Sequence, residues 1–277
     1  MIHKLALCNE VLAPWGFGEQ CAYAAKLGYH ALEVAPYTLA EDPTTISPAM
    51  AKTWRDMAED HGLQISGLHW LLVAPKGLSI SSADAAVRER TLAAIDRLIE
   101  LCAMLGGSYL VHGSPAQRNP QPGQSRADAL ARATAAWVHA GEQASRAGLH
   151  YCIEPLSRDQ TSVLNTIDEA LTIVEAAALP GLKTMLDTSS AGATEGEPLP
   201  ALIDRVWSSG QLVHVQLNDR NRRGPGQGED HFAPILAALQ RQGYAGWLAM
   251  EPFDYVPDGP GCAAWCIGYV QGVLDAV

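Results

Sequence analysis

Four side chains that can bind a metal ion recur at regular intervals in the second half of the chain. They are separated by 33, 27 and 37 residues, and each lies at or near the end of an apolar segment: Glu154, Asp187, His214 and Glu251. Three carboxylates and one imidazole favour Mn²⁺ or Mg²⁺, with Co²⁺ or Zn²⁺ as alternatives. A single acidic residue in such a place is commonly solvated or caps a turn. The regular spacing of all four therefore indicates a site for one divalent metal.

The segment around the histidine has the pattern of a strand that ends in a functional loop. Residues 212–217 alternate, which places the valines on one face and His214 with Gln216 on the other. The chain then enters a polar, glycine- and proline-rich loop at 218–228 that carries three arginines: Arg220, Arg222 and Arg223. A solvated loop after an ordinary strand has the same pattern. The cationic loop favours a small phosphate or hydroxyl-rich ligand.

Alternating strand-like and helix-like segments must position these groups. Strands are predicted at 3–9, 30–35, 64–71, 108–113, 149–154, 182–187, 212–217 and 246–251. Helices are predicted at 17–27, 47–61, 84–105, 126–147, 166–178, 198–208, 231–242 and 261–275, many of them followed by glycine. Ser47 is predicted to cap the second helix and Thr166 or Asn165 the fifth, and 115–124 is predicted to be a loop.

Eight strand–helix units without a break in composition predict an α/β fold, a single (β/α)8 TIM barrel over residues 1–277. An open doubly wound sheet is the alternative, but no Gly-x-Gly-x-x-Gly follows the first strand. In a barrel the carboxyl ends of the strands converge on one rim. The four metal-binding side chains can meet there, although they are distant in sequence.

The bulk properties exclude several classes of protein. A net charge of −11 argues against nucleic acid as a partner, because such proteins normally present a basic face. No signal peptide and no apolar stretch of about 20 residues is visible, so we expect a cytoplasmic protein with no membrane partner. Six scattered cysteines are expected to be reduced core residues, and Cys262 with Cys266 lacks the spacing of a zinc site.

The motifs resemble those of the sugar isomerase/epimerase superfamily of xylose-isomerase-like barrels, most closely its ketose 3-epimerases, over nearly the whole chain. The most specific are Ile-Glu-Pro at 153–155, Leu-Asp-Thr at 186–188, His214 with Arg220 six residues later, Gly-Pro-Gly-Gln-Gly at 224–228 and Met-Glu-Pro-Phe at 250–253. Weaker matches lie at 67–70 and 111–115.

The resemblance implies an isomerase that moves a proton beside a ketose carbonyl and stabilises an enediolate with one divalent ion, Mn²⁺ first among the candidates. In the family the counterparts of Glu154, Asp187, His214 and Glu251 bind the metal, both glutamates act as acid and base, and the counterpart of Arg220 contacts the sugar. It also implies a homo-dimer or tetramer. Two positions depart from the pattern, Ser190 for a histidine and Gln160 for a glutamate, which leaves the identity of the sugar open.

Five more residues near strand ends are candidates for substrate contact. His69, His112 and Glu33 can bind sugar hydroxyls, although buried structural histidines or a solvated glutamate would also fit the pattern. Trp15 and Trp70 can form an apolar wall against sugar C–H groups, and core packing explains them almost as well.

Several activities remain open at this point. The same site could invert C3, exchange an aldose and a ketose, or act as a lyase or dehydratase on an inosose or keto-glycoside. A DNA-repair endonuclease of the same superfamily is disfavoured by the acidic charge and the single-metal ligand set. A sugar-binding barrel without activity is the remaining rival.

Overall fold

Eight parallel strands form the centre of the molecule, in a computed structural model that describes residues 4–277. They are β1 Leu5–Cys8, β2 Ala31–Val34, β3 Gln64–Leu68, β4 Tyr109–His112, β5 His150–Ile153, β6 Leu182–Asp187, β7 Leu212–Leu217 and β8 Leu248–Met250. Each pairs with the next in sequence, and β8 pairs with β1, which closes the barrel. The predicted (β/α)8 barrel is confirmed; residue 3, at the start of the first predicted strand, lies outside the described residues.

Helices separate the strands in sequence and surround them. They are α1 Phe17–Leu27, α2 Pro48–Asp60, α3 Ala85–Leu105, α4 Pro115–Arg118, α5 Arg126–Ala147, α6 Ile167–Ala177, α7 Thr188–Thr194, α8 Leu199–Val206, α9 Phe232–Arg241 and α10 Gly259–Leu274. Local chemistry sets their ends as predicted. Ser47 and Thr166 each accept a hydrogen bond from a backbone N–H of the first turn, and Gly106 ends α3 at a φ of +82°.

Two short helices were not predicted. α4 lies in the stretch predicted to be a loop, and α7 follows β6 directly. The α7 turn starts there because the Asp187 side chain accepts a hydrogen bond from the backbone N–H of Ser190 (2.6 Å). Both short helices lie at the carboxyl ends of the strands, where they shape the mouth of the barrel.

The strand faces divide the interior into two layers. Outward-facing side chains pack against the helices and make the main hydrophobic core. All six cysteines are buried and free, as predicted. Inside the barrel, below the mouth, Glu33 accepts hydrogen bonds from Tyr109 and Gln216. Within the described part of the chain, no helix is sufficiently long and apolar to span a bilayer.

Candidate active site

Three of the four predicted ligands meet at the mouth of the barrel. Glu154 follows β5, Asp187 ends β6 and Glu251 follows β8, and each offers a carboxylate oxygen within 4.8 Å of the other two. All three side chains are buried. Burial and the nearby charges of Glu251 and Asp187 raise the pKa of Glu154 well above its usual range, and burial raises the pKa of Glu251 to about 8. Such a cluster is electrostatically costly unless protons or a cation offset its charge.

The free oxygens of this cluster fit a cation. The second carboxylate oxygen of Asp187 is buried and has no hydrogen-bond partner. Gln216, which pairs with Asp187 across β6 and β7, donates from its amide nitrogen to Glu33 (2.7 Å), and this leaves its amide oxygen buried and unpartnered too. Three carboxylates and an amide oxygen form a hard, all-oxygen donor set, which is the set that Mn²⁺ and Mg²⁺ prefer.

The structure does not bring His214 to the carboxylates, which corrects the predicted fourth ligand. His214 faces the barrel interior, as its strand pattern predicted, but Nε2 lies 2.9 Å from Glu33 and the ring stacks on Tyr109 with centroids 4.0 Å apart. It lies two residues before Gln216 on the same face of β7, so it is roughly 6–7 Å further from the mouth. No potential metal cluster among the described residues contains it.

Glu33 is also placed below the mouth and not beside a sugar. Its side chain has no exposed surface and lies among Tyr109, His214 and Gln216. Burial alone would raise its pKa, but the charge of His214 and the hydrogen bonds lower the pKa of Glu33 to about 2. The structure thus gives Glu33 an ionised supporting role in place of the predicted contact with sugar hydroxyls.

His112 turns out to face the helices. Its Nδ1 accepts hydrogen bonds from Trp137 of α5 (3.2 Å) and from the hydroxyl of Tyr151 (2.7 Å). Burial and the charge of Arg118 lower the pKa of His112 to about 3, so the ring is neutral. Strand alternation explains the correction, because the preceding residue, Val111, is the one that lines the mouth.

His69 does lie in the mouth, between two carboxylates. Its Nδ1 is 2.9 Å from Glu251 Oε1 and its Nε2 is 3.0 Å from Glu10 Oε2. Burial disfavours the charged ring, but the charge of Glu10 and both hydrogen bonds raise the pKa of His69 well above its usual range. Glu10 was missed in the sequence, although it follows the first strand just as Glu154 and Glu251 follow theirs.

Two of the three arginines in the loop after β7 differ from expectation in their surroundings. Arg220 is more than half exposed and pairs with Asp230 (2.6 Å), away from the carboxylates. Arg222 makes no ion pair within the described residues; its guanidinium lies 4.7 Å from the centroid of the Phe253 ring, and its backbone has a strained φ of +69°. Strain of this kind concentrates at functional sites. Arg222 is therefore the better candidate for substrate contact.

A small pocket opens beside the carboxylates, and Glu154 and Glu251 are among the residues that line it. Its apolar wall includes Trp70 and Phe253, whose rings meet edge to face at 6.1 Å, whereas Trp15 packs on Tyr23 at the surface. Gln160 lines the opposite side and donates to Ser157 (2.8 Å) and, more distantly, to Ser190 (3.4 Å). The structure thus places Trp70, but not Trp15, in the predicted wall.

With this geometry established, comparison with known proteins identifies the family. Residues 21–264 match the model of the xylose isomerase-like TIM barrel family. The chain belongs to this family. A D-psicose 3-epimerase of Agrobacterium fabrum is 31% identical over 244 residues, which cover 86% of this chain and 79% of that protein. A ketose 3-epimerase of Arthrobacter globiformis is 29% identical over 73% of this chain and 68% of that protein.

The fold agrees with solved structures of the same family. A crystal structure of a D-psicose 3-epimerase, determined in the presence of D-fructose, matches with a TM-score of 0.83 and 24% identity, covering 98% of this chain and 99% of that one. At 24% identity this structural similarity supports the barrel fold alone.

Proposed function

We propose that the protein is a divalent-metal-dependent epimerase of ketoses that inverts the configuration at C3. The observation that carries the proposal is the meeting of Glu154, Asp187 and Glu251 in one buried cluster at the barrel mouth. The names of the relatives support epimerisation of a ketose over elimination from an inosose or keto-glycoside. They also supply the substrate class to test first.

The donors for the metal would be the three carboxylates and the amide oxygen of Gln216. This set favours Mn²⁺, then Mg²⁺, while Co²⁺ and Zn²⁺ remain weaker candidates. A divalent ion held there supplies Lewis-acid stabilisation of negative charge on the carbonyl and the neighbouring hydroxyl oxygen of the sugar.

Glu154 and Glu251 are the proposed proton carriers. They follow β5 and β8, which lie three strands apart around the barrel, so the two carboxylates enter the mouth from different sides. Inversion at a carbon needs one group to remove the proton and another to return a proton from the opposite face. Placement on two sides of the mouth favours inversion over the one-sided transfer of an aldose–ketose isomerase.

The remaining contacts would orient the sugar. Arg222 can donate its planar set of N–H groups to hydroxyl oxygens. Trp70 and Phe253 would present ring surface to sugar C–H groups, and Gln160, which is 3.4 Å from Ser190, would provide a polar group in the same pocket. We further propose, from the family resemblance, that the enzyme acts in the cytoplasm as a homo-dimer or tetramer.

The catalytic proposal is tested with Glu154→Gln and Glu251→Gln. Each change removes an ionisable oxygen but keeps the size of the side chain, so we expect kcat on a ketohexose with Mn²⁺ to fall by about 10²–10⁴-fold. Glu195→Gln, in a half-buried carboxylate on the same rim, serves as the control. Unchanged turnover in both active-site variants would reject the acid–base roles, and a product lighter by one water would indicate a lyase.

The metal proposal is tested by comparing Gln216→Met with His214→Asn. Methionine matches the shape of glutamine but lacks the amide oxygen, so Mn²⁺ affinity measured by calorimetry should fall by about 10–100-fold. His214→Asn should weaken Mn²⁺ binding less than Gln216→Met does, because His214 is linked to the proposed ligand Gln216 only through Glu33. Circular dichroism checks that both variants fold. The opposite ranking of the two affinities would restore His214 as the ligand.

A further inference from the structure

A buried chain of hydrogen bonds leads from the first loop of the barrel to Glu251. Glu10 lies in the 3₁₀ turn that follows β1, and its Oε2 is 3.0 Å from His69 Nε2. His69 follows β3, and its Nδ1 is 2.9 Å from Glu251 Oε1. The three side chains come from segments as far apart as 241 residues in sequence, and each is at most 7% exposed.

This arrangement is a hydrogen-bonded chain and not a second metal centre. Cys8, Glu10, His69 and Glu251 offer ligand atoms within 4.8 Å of one another, which by itself could hold a cation. Both ring nitrogens of His69, however, already contact carboxylate oxygens at hydrogen-bond distance. The thiol of Cys8 is directed to Glu33 (3.8 Å). If His69 were a metal ligand, it would lose one of its two contacts to carboxylate oxygens.

The position of His69 limits how the Glu251 carboxylate can rotate. Oε1 of Glu251 is at hydrogen-bond distance from Nδ1 of His69. The other ring nitrogen of His69, Nε2, is at hydrogen-bond distance from Glu10. A ring tied at both nitrogens cannot flip about its Cβ–Cγ bond without losing both contacts. Groups that hold a ligand or catalytic side chain in this way typically change metal affinity or activity by about 10–100-fold when they are removed.

We propose that Glu10 is a positioning residue that acts through His69 to fix the orientation of the Glu251 carboxylate. The inference rests on the proposed function in one respect, the role of Glu251 in metal binding and proton transfer. In this role Glu10 holds the imidazole and is not itself a ligand of the metal or a contact of the sugar.

A double-mutant cycle tests this dependence. Glu10→Ala and His69→Ala are each expected to weaken Mn²⁺ binding, measured by calorimetry, by about 10–100-fold. In the His69→Ala background, Glu10→Ala should change the affinity by less than about twofold, since the intermediary is already gone. Glu10→Gln keeps an oxygen acceptor for His69, so it should weaken Mn²⁺ binding less than Glu10→Ala does. Glu41→Ala removes an exposed carboxylate from the loops after β2 and controls for charge alone.

Independent effects of the two substitutions would overturn the proposal, because Glu10 would then act directly on the metal or the ligand. A crystal structure of the metal-free Glu10→Ala protein provides a second measurement that needs neither metal nor substrate. We expect the Glu251 carboxylate to be rotated or split between orientations there, and an unmoved Glu251 would overturn the proposal. The two proposals can fail separately. If the variants show the expected coupling in Mn²⁺ affinity but the wild-type protein turns over no ketose, the proposed function is rejected and the role of Glu10 stands.

Discussion

Two polar residues on the same strand face can have entirely different roles, and β7 is the example in this protein. His214 and Gln216 both point into the barrel, yet His214 lies beside Glu33 and Gln216 keeps a free oxygen next to Asp187. Residue type favoured the histidine as a metal ligand, since imidazole is the commoner donor. The two side chains differ in their position along β7, where they are two residues apart. The type of each residue does not reveal this difference.

Arg220 and Arg222, in the loop after β7, are expected to differ in their contribution to substrate binding. Arg222→Ala should raise KM for a ketose by about 10-fold or more, because it removes a charged donor and its contact with Phe253. Arg220→Ala should change KM by less than about twofold, because an exposed ion pair with Asp230 contributes little. Steady-state kinetics on both variants decide between them. A large effect confined to Arg220→Ala would return that residue to the substrate site.

At the scale of secondary structure, the strand ends and the turns after them shape the mouth. The end of β4 shows this, since the next residue is Gly113, and the Glu154 side chain lies directly over it. The backbone carbonyl of Glu154 is in turn held by the buried guanidinium of Arg118 in α4 (2.7 Å). A helix of four residues, which the sequence did not predict, therefore helps to hold a proposed catalytic group.

Gly113→Ala tests how closely the end of β4 approaches Glu154. A Cβ at this position would lie 2.1 Å from Glu154 Oε2, so the carboxylate must move. We expect kcat to fall by about 10²-fold while the fold is kept, because a displacement of about 1 Å at a catalytic group has this effect. Gly196→Ala, on the same rim with no atom within 4 Å of the new Cβ, is the matched control. Full activity of Gly113→Ala would mean that Glu154 does not act from the position observed.

For the molecule as a whole, closure of the barrel buries ionisable groups on both sides of the strands. Inside, Glu33 is kept ionised and its pKa is lowered to about 2; outside, burial against α5 and the charge of Arg118 lower the pKa of His112 to about 3. Both shifts act in the same direction on stability. At these two groups the unfolded chain binds protons that the folded protein does not, so their contribution to stability falls in acid, whereas the raised pKa values of Glu154, Glu251 and His69 act in the opposite direction.

His112 makes a separate contribution to the pH dependence of stability. Its contribution is complete above its unfolded pKa of about 6.5 and is lost progressively as the pH falls towards 3. Between about pH 7 and about pH 5 the free energy of unfolding should fall by about 2 kcal/mol on account of His112. Urea unfolding of the wild type and of His112→Gln, with chelator present, measures it as the difference between the two proteins, because the variant should lack this loss in acid while the other groups titrate as before.

The exposed His61 provides the control for that experiment. His61→Gln removes a histidine from the surface, and it should change the pH difference in unfolding free energy less than His112→Gln does. If the two variants behave alike, buried His112 is not the source of the acid sensitivity. The loss of the Trp137 and Tyr151 hydrogen bonds lowers stability at both pH values and cancels in the difference.

The sequence alone determined the barrel and nearly all of its helices, because these follow from local rules. Alternation along each strand, a capping Ser47 and glycines after helices depend on residues a few positions apart. The same rules placed Glu154, Asp187 and Glu251 at strand ends and showed that His214 and Gln216 share a face. They could not show α4, whose buried Arg118 depends on β5, a segment far along the chain.

Only the tertiary structure decided which side chains share the site. Between β6 and β7 the pairing shifts by one residue after Thr184, and this shift brings Asp187 opposite Gln216; without it, Asp187 would face Val215. Glu10 is linked to Glu251 through His69 only because closure of the barrel brings the ends of β1, β3 and β8 to one mouth. Strand register and closure depend on the packing of the whole ring, so they cannot be obtained from the neighbours of a residue in sequence.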